Sequence, residues 1–216
     1  MEKNFITKYN SVDELSIPKV ISVSKFLSEI RNENEVVNIL RYLSEKYRNI
    51  SLKNAQKIIS ECDTISFRDR KPIENARNID EMIDALKLNL NYYCLSGYYD
   101  QELERFFHSG LFVLDFRTRE QSFLINKLND DPYVLTHFPS CTGNSVKAII
   151  LGKSEPVDMD MEEVTEFHDY NFKEISKYYH QSTNIKPNQD YSIYSKGVLQ
   201  TYLEELEVNN PDEFFN

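Results

Sequence analysis

Apolar positions recur along much of this chain at helical spacing. Between residues 33 and 48, Val36, Val37, Ile39, Leu40, Leu43 and Tyr47 form one stripe, the mark of a helix laid on a core. A second helix is predicted from near Ser51 through Ala55, Ile58 and Ile59. Ile79, Met82, Ile83, Leu86 and Leu90 repeat at the same intervals, with Asn78 placed as N-cap. Residues 119–129 read as helical, and Val164, Phe167, His168, Phe172, Ile175 and Tyr179 mark a longer helix over 161–179.

Elsewhere the period shifts to that of strands. The segment 106–116 (FFHSGLFVLDF) contains a continuous apolar run, 111–114, closed by Asp115, as expected of a buried central strand. SVKAIIL (145–151) predicts a second buried strand, and 20–26 and 193–202 read as further strands. Residues 62–77 are charged and turn-like. Residues 1–18 are polar and end at Pro18, so they are expected to form an arm or irregular lead-in. Together these elements imply an α+β fold, a mixed sheet flanked by helices. The expected division is an arm (1–18), a helical N-terminal portion (19–105) and a core (106–216).

Composition narrows this picture. With 216 residues, 40% hydrophobic, the chain can bury a real core. Its net charge of −10 works against a broadly nucleic-acid-binding surface, because phosphates are neutralised by Lys and Arg. A local basic patch remains compatible with it. Cys62, Cys94 and Cys141 are odd in number and widely spaced, which fits reduced thiols rather than disulfides or a zinc site. The N-terminal stretch has no apolar signal-peptide region, and no apolar run reaches membrane-spanning length. The expectation is a cytoplasmic protein of a bacterial cell, including one encoded by a phage, with no membrane partner.

Three groups of residues can carry chemistry. Asp115 ends an apolar strand, where a carboxylate can leave the core and meet a metal or substrate. A metal site there wants a second carboxylate two positions on, on the same strand face, but that position holds Arg117. The alternative is that Asp115 caps the strand or pairs with Arg117 or Arg119. The run Ser140-Cys141-Thr142-Gly143-Asn144-Ser145-Val146-Lys147 can cradle phosphate through backbone N–H groups and one cation; the alternative is a turn using Gly143 and Asn144. It is not a P-loop, which needs an earlier glycine and a Ser or Thr directly after the Lys. His108, His137, His168 and His180 lack metal-ligand spacing, and His168 lies on the apolar side of its helix, as a core histidine would.

The order of these pieces carries a resemblance. Ser109-Gly110-Leu111 with Asp115; Asp131-Pro132-Tyr133-Val134; Phe138; Ser140, Thr142, Gly143 and Lys147; His168 with Tyr178-Tyr179; Ser195-Lys196; Thr201-Tyr202; and Asn210-Pro211 follow one another over about 106–213. This succession resembles the VirE amino-terminal-type domain of the archaeo-eukaryotic primase superfamily.

The resemblance implies a primase-polymerase-like fold and a divalent-metal site, Mg²⁺ or Mn²⁺, that handles nucleotide and DNA template in phage or mobile-element replication, alongside a partner such as a helicase. It assigns Asp115 to the catalytic metal motif and Ser140, Thr142, Gly143, Lys147 and Lys196 to nucleotide phosphate. The departures are specific. Arg117 replaces the second acid, and the later acid falls at Leu203, with Glu204 adjacent as a substitute ligand. Lys196 replaces an Arg, and Ser145 a second loop glycine. One of three expected carboxylates remains, whereas two-metal catalysis needs several. The reading is a nucleotide- or nucleic-acid-binding protein, inactive or weakly active. The alternative is an accessory or structural protein acting through protein contacts on a repurposed fold, with Tyr92-Tyr93, Tyr98-Tyr99 and Phe106-Phe107 as candidate aromatic patches. An active enzyme would have to recruit Glu204, Asp130 or Asp190.

Overall fold

Helices in this chain begin where a short polar side chain can accept the orphan N–H groups of a first turn. The computed structural model describes residues 5–10, 18–62, 64–65, 67–152, 160–188 and 197–201. In it Ser22 caps α1 (Val23–Arg31), Asn34 caps α2 (Glu35–Lys46) and Ser51 caps α3 (Leu52–Ser60). After α4 (Phe67–Glu74), Asn78 caps α5 (Ile79–Lys87), while Glu81 reaches back to the N–H of Arg77 at 2.7 Å. α6 (Gln121–Asn129) has no side-chain cap. α7 (Met161–Thr183) opens with a reciprocal Asp160–Glu163 capping box. It ends at Asn184 in the left-handed conformation (φ 56°), which Asn tolerates better than most residues.

The strands are β1 (Phe5–Tyr9), β2 (Lys19–Ser22), β3 (Tyr92–Cys94), β4 (Gly97–Asp100), β5 (Arg105–His108), β6 (Leu111–Phe116), β7 (Val134–Pro139), β8 (Val146–Leu151) and β9 (Gly197–Leu199). They form a four-stranded sheet in the order β2-β1-β3-β9, a β4-β5 hairpin and a three-stranded sheet in the order β6-β8-β7. The fold is α+β. Every pairing among the described strands is antiparallel rather than mixed. β6 and β7 point the same way, but β8 lies between them.

Alternation along β6 and β8 places the three-stranded sheet between two cores. Leu111, Val113 and Ile149 pack with Ile6, Phe26 and Tyr93 beneath α1 and the four-stranded sheet. Phe112, Leu114, Phe116, Ala148 and Ile150 pack with Leu124, Phe172 and Tyr179 beneath α6 and α7. A third core joins α2, α3 and α5 through Leu40, Ile59 and Met82, with Cys141 at its edge. All three cysteines are buried thiols. No helix among the described residues is long and apolar enough to cross a membrane.

Several local expectations change. Within the lead-in, residues 5–9 form β1, which pairs β2 on one side and β3 on the other. The 20–26 segment splits at Ser22, which ends β2 and caps α1. The charged 62–77 stretch contains α4, steadied by Arg70, whose guanidinium donates to the carbonyls of Ser60, Cys62 and Ile65 after α3. The 106–116 segment is two strands broken at Gly110, where φ is 78°. β7 had no alternating signal of its own.

Candidate functional site

The register of β6 against β8 pairs Asp115 with Lys147, and β7 adds Phe138 to the same row. Asp115 shares a face with Val113 and Leu111, two and four residues back. Those two are buried, but at Asp115 the covering layer ends and the carboxylate is 17% exposed. Lys147, 18% exposed, holds its ammonium 3.7 Å from Asp115 Oδ2. Asp115 Oδ1 is buried with no hydrogen-bond partner among the described residues. Of the alternatives open in the sequence, the acid therefore pairs neither with Arg117 nor with Arg119, but across the sheet.

The segment 140–145 connects β7 to β8 as a closed loop. Ser140 N–H donates to Ser145 O and Gly143 N–H to Ser140 O, each at 2.9 Å. Gly143 takes φ 73°, a left-handed turn that glycine adopts without strain. Asn144 Nδ2 donates to Ser44 Oγ of α2 at 2.7 Å, tying the loop tip to the helical wall. Thr201 lies at the loop base, donating to Pro139 O at 2.9 Å and accepting from the Arg41 guanidinium at 3.0 Å.

These pieces enclose a pocket of about 690 Å³ between the sheet end and the α2–α5 wall. Asp115, Arg117 and Lys147 form one side, with Ser140, Thr142, Asn144 and Ser145 of the loop. Glu45, Tyr47, Arg48, Asp80, Asp84 and Lys87 form the other. Four carboxylates thus face four cations. Three acids are already engaged within the wall: Glu45 by Lys46 at 2.8 Å, Asp80 by the Tyr47 hydroxyl at 2.5 Å and Asp84 by Lys87 at 2.9 Å. No described residue forms an ion pair with Arg48 or Arg117. The Cys141 thiol behind the loop is pushed up by burial, which outweighs the opposing pull of Lys87, Lys147 and Arg41. Its raised pKa keeps the thiol protonated near neutral pH.

The structure therefore brings Asp115, Ser140, Thr142, Gly143 and Lys147 to one place. Gly143 serves through its turn rather than by lining the pocket. Lys196, Leu203, Glu204 and Asp190 lie outside the described residues. Asp130 follows α6 as its C-cap and does not line the pocket. The described residues do not fit a two-metal centre. Arg117 occupies the second ligand position, Lys147 sits against Asp115, and no group of three or more His, Cys, Asp or Glu is arranged to hold an ion among the described residues. Free guanidinium groups and an ammonium in a polar cleft suit an anion.

Sequence spacing gave no hint that two of the histidines meet. His108 Nδ1 accepts from the Gly110 N–H at 2.9 Å, which leaves its Nε2–H to donate to His168 Nδ1, also at 2.9 Å. His168 stacks on Phe112 with ring centroids 4.9 Å apart. Burial pulls the His108 pKa down to about 4, so His108 is neutral near pH 7, and the pair belongs to the core behind β6.

An antiparallel sheet whose exposed end carries an acid–lysine pair, closed by a small-residue loop and a helical wall, defines an α+β domain with a polar, anion-compatible cleft. The chain belongs to the BT4734-like N-terminal domain family, whose pattern matches residues 86–201, just over half its length. That match contains Asp115, the 140–145 loop, Lys147 and Thr201, whereas Arg48, Asp80 and Asp84 of the helical wall precede it. No curated protein and no solved structure matches the chain.

Proposed function

We propose that this chain is a primase-polymerase-like nucleotide- and nucleic-acid-binding protein, catalytically inactive or weakly active, serving the replication of phage or mobile-element DNA beside a separate protein such as a helicase. The observation that carries the reading is the Asp115–Lys147 cross-strand pair, 3.7 Å apart, at the base of a cleft that also presents Arg117, Arg48 and the 140–145 loop. Lys147 and the two arginines receive the phosphates. Ser140 and Thr142, whose hydroxyls are 3.4 Å apart at the rim, donate to phosphate oxygens. Polymerisation is weak or absent because a single strand-end carboxylate, compensated by Lys147, cannot neutralise two divalent ions. Where Mg²⁺ or Mn²⁺ accompanies the nucleotide, Asp115 would be the sheet-side carboxylate to hold it.

Calorimetric titration with a nucleoside triphosphate tests this. Binding is expected, and Lys147→Ala weakens it about tenfold or more, the loss of one charge-assisted hydrogen bond. Absence of heat with the wild-type chain removes the reading. A primer-synthesis assay with Mg²⁺ and with Mn²⁺ is expected to give little or no product, and efficient extension overturns the claim of lost catalysis.

A further inference from the structure

Residues 41–57 are unlike the rest of this acidic chain. They hold five cations, Arg41, Lys46, Arg48, Lys53 and Lys57, against the single carboxylate Glu45, in a protein of net charge −10. The segment covers the end of α2, the turn after it and most of α3. Lys46, Arg48, Lys53 and Lys57 are all exposed. No described residue forms an ion pair with Arg48, Lys53 or Lys57. Two large aromatic side chains stand in the open among them, Tyr42 at 44% and Tyr47 at 43% exposure.

The same segment forms a hollow of about 420 Å³ between α2 and α3. Ile50 and Ile58 are part of its apolar lining, Asn49 and Asn54 bring side-chain amides, and Lys46 and Lys57 bring positive charge against the single carboxylate of Glu61, with Tyr42 alongside. Apolar surface and an aromatic ring suit the face of a base, amides can donate to and accept from base edges, and ammonium groups suit the backbone. Asn49 also lines the main pocket, next to Tyr47 and Arg48. The hollow and the Asp115–Lys147 cleft are therefore neighbours that share Asn49 in their walls.

We infer that the α2–α3 corner is a single-stranded nucleic-acid surface that leads out of the cleft, with Lys46, Arg48, Lys53 and Lys57 tracking the backbone and Tyr42 stacking on a base. The direction of the strand rests on the nucleotide reading of the cleft; the surface itself rests on its own charge and shape. A single strand is favoured over a duplex because stacking on Tyr42 requires an unpaired base.

Fluorescence anisotropy of labelled dT20 and U20 with the full chain, between 25 and 200 mM salt, decides the matter. Four phosphate contacts predict a slope of about −3 in log K against log salt for a single strand, at about 0.7 per contact. The double substitution Lys46→Glu with Lys57→Glu is expected to weaken binding at least tenfold and to flatten the slope by about 1.4. Tyr42→Ala is expected to weaken binding about fivefold or more at unchanged slope, and Tyr42→Phe to restore it, which separates stacking from charge. Tight binding of either oligonucleotide supports the surface, and the ratio of the two assigns the sugar preference. Equal binding of a duplex, displacement by polyglutamate at equal charge, or wild-type affinity in the charge-reversed variant overturns it. Nucleotide titration of the charge-reversed variant is expected to match wild type. In the wild-type chain, nucleotide binding without oligonucleotide binding sinks this surface alone, and oligonucleotide binding without nucleotide binding sinks the reading of the cleft alone.

Discussion

The two faces of the β6-β8-β7 sheet each hold a polar pair, and the pairs differ in kind. On the face toward the helical wall, Asp115 and Lys147 sit where the covering layer stops, an acid–lysine pair at the base of a polar cleft. On the face toward α7, His108 and His168 share a hydrogen bond amid Phe112, Phe167 and Phe172, and burial holds the His108 pKa down at about 4. Phe112 and Asp115 lie three positions apart on one strand. What differs is the packing above each, and packing sets the cost of charge. The buried pair fixes β5 and β6 against α7, while the partly exposed pair opens onto the cleft.

Breaking the buried side has the largest effect. Phe116→Ala removes a fully buried ring from the α6–α7 core and is expected to cost about 3–5 kcal/mol in urea unfolding. The histidine pair then sharpens the contrast through pH. The folded pKa of His108, about 4, lies below its unfolded value, so the unfolded chain binds this proton first as pH falls. The contribution is complete above about pH 6.5 and is lost as pH falls toward and through about 4, up to about 3 kcal/mol in all. The check is the difference in unfolding free energy between wild type and His108→Gln at pH 7, 5.5 and 4.5, which should shrink as pH falls.

Smaller effects are expected on the charged side, and they fall on binding rather than stability. Lys147→Ala is expected to lower nucleotide affinity by about 1.5–3 kcal/mol while moving the unfolding midpoint little. Asp115→Asn is expected to change stability by no more than about 1 kcal/mol, because the pair is partly exposed, and to keep or tighten metal-free triphosphate binding by releasing Lys147. A large stability loss in Asp115→Asn, measured by urea unfolding, would make the pair structural and erase the contrast.

Much of the helical frame was legible in the sequence because capping and periodicity agree locally. Ser51 and Asn78 precede their apolar stripes, and both are side-chain caps in the structure. β6 and β8 showed themselves as short apolar runs buried on both faces. β1 did not, since its burial depends on β2 and β3, the latter some 85 residues away along the chain. α4 was hidden by its charge, because what orders the region around it is the Arg70 guanidinium on backbone carbonyls, which leaves no periodic trace. The sheet half of the cleft was visible in Asp115 and the 140–147 run. The helical half was not. Asp80, Asp84 and Lys87 occupy the polar side of an amphipathic helix, which reads as a solvated face until the fold turns it toward the sheet. Likewise, His108 and His168 meet only in three dimensions.

The most direct test of the cleft is an amide and side-chain NMR titration of the whole chain with a nucleoside triphosphate, read residue by residue. The account predicts shifts concentrated at Arg48, Asp115, Arg117, residues 140–145 and Lys147, with His108, His168 and Phe172 on the opposite face unmoved. Shifts confined to another surface, such as the apolar hollow between Tyr133 and Tyr178, or no shifts at all, would contradict it.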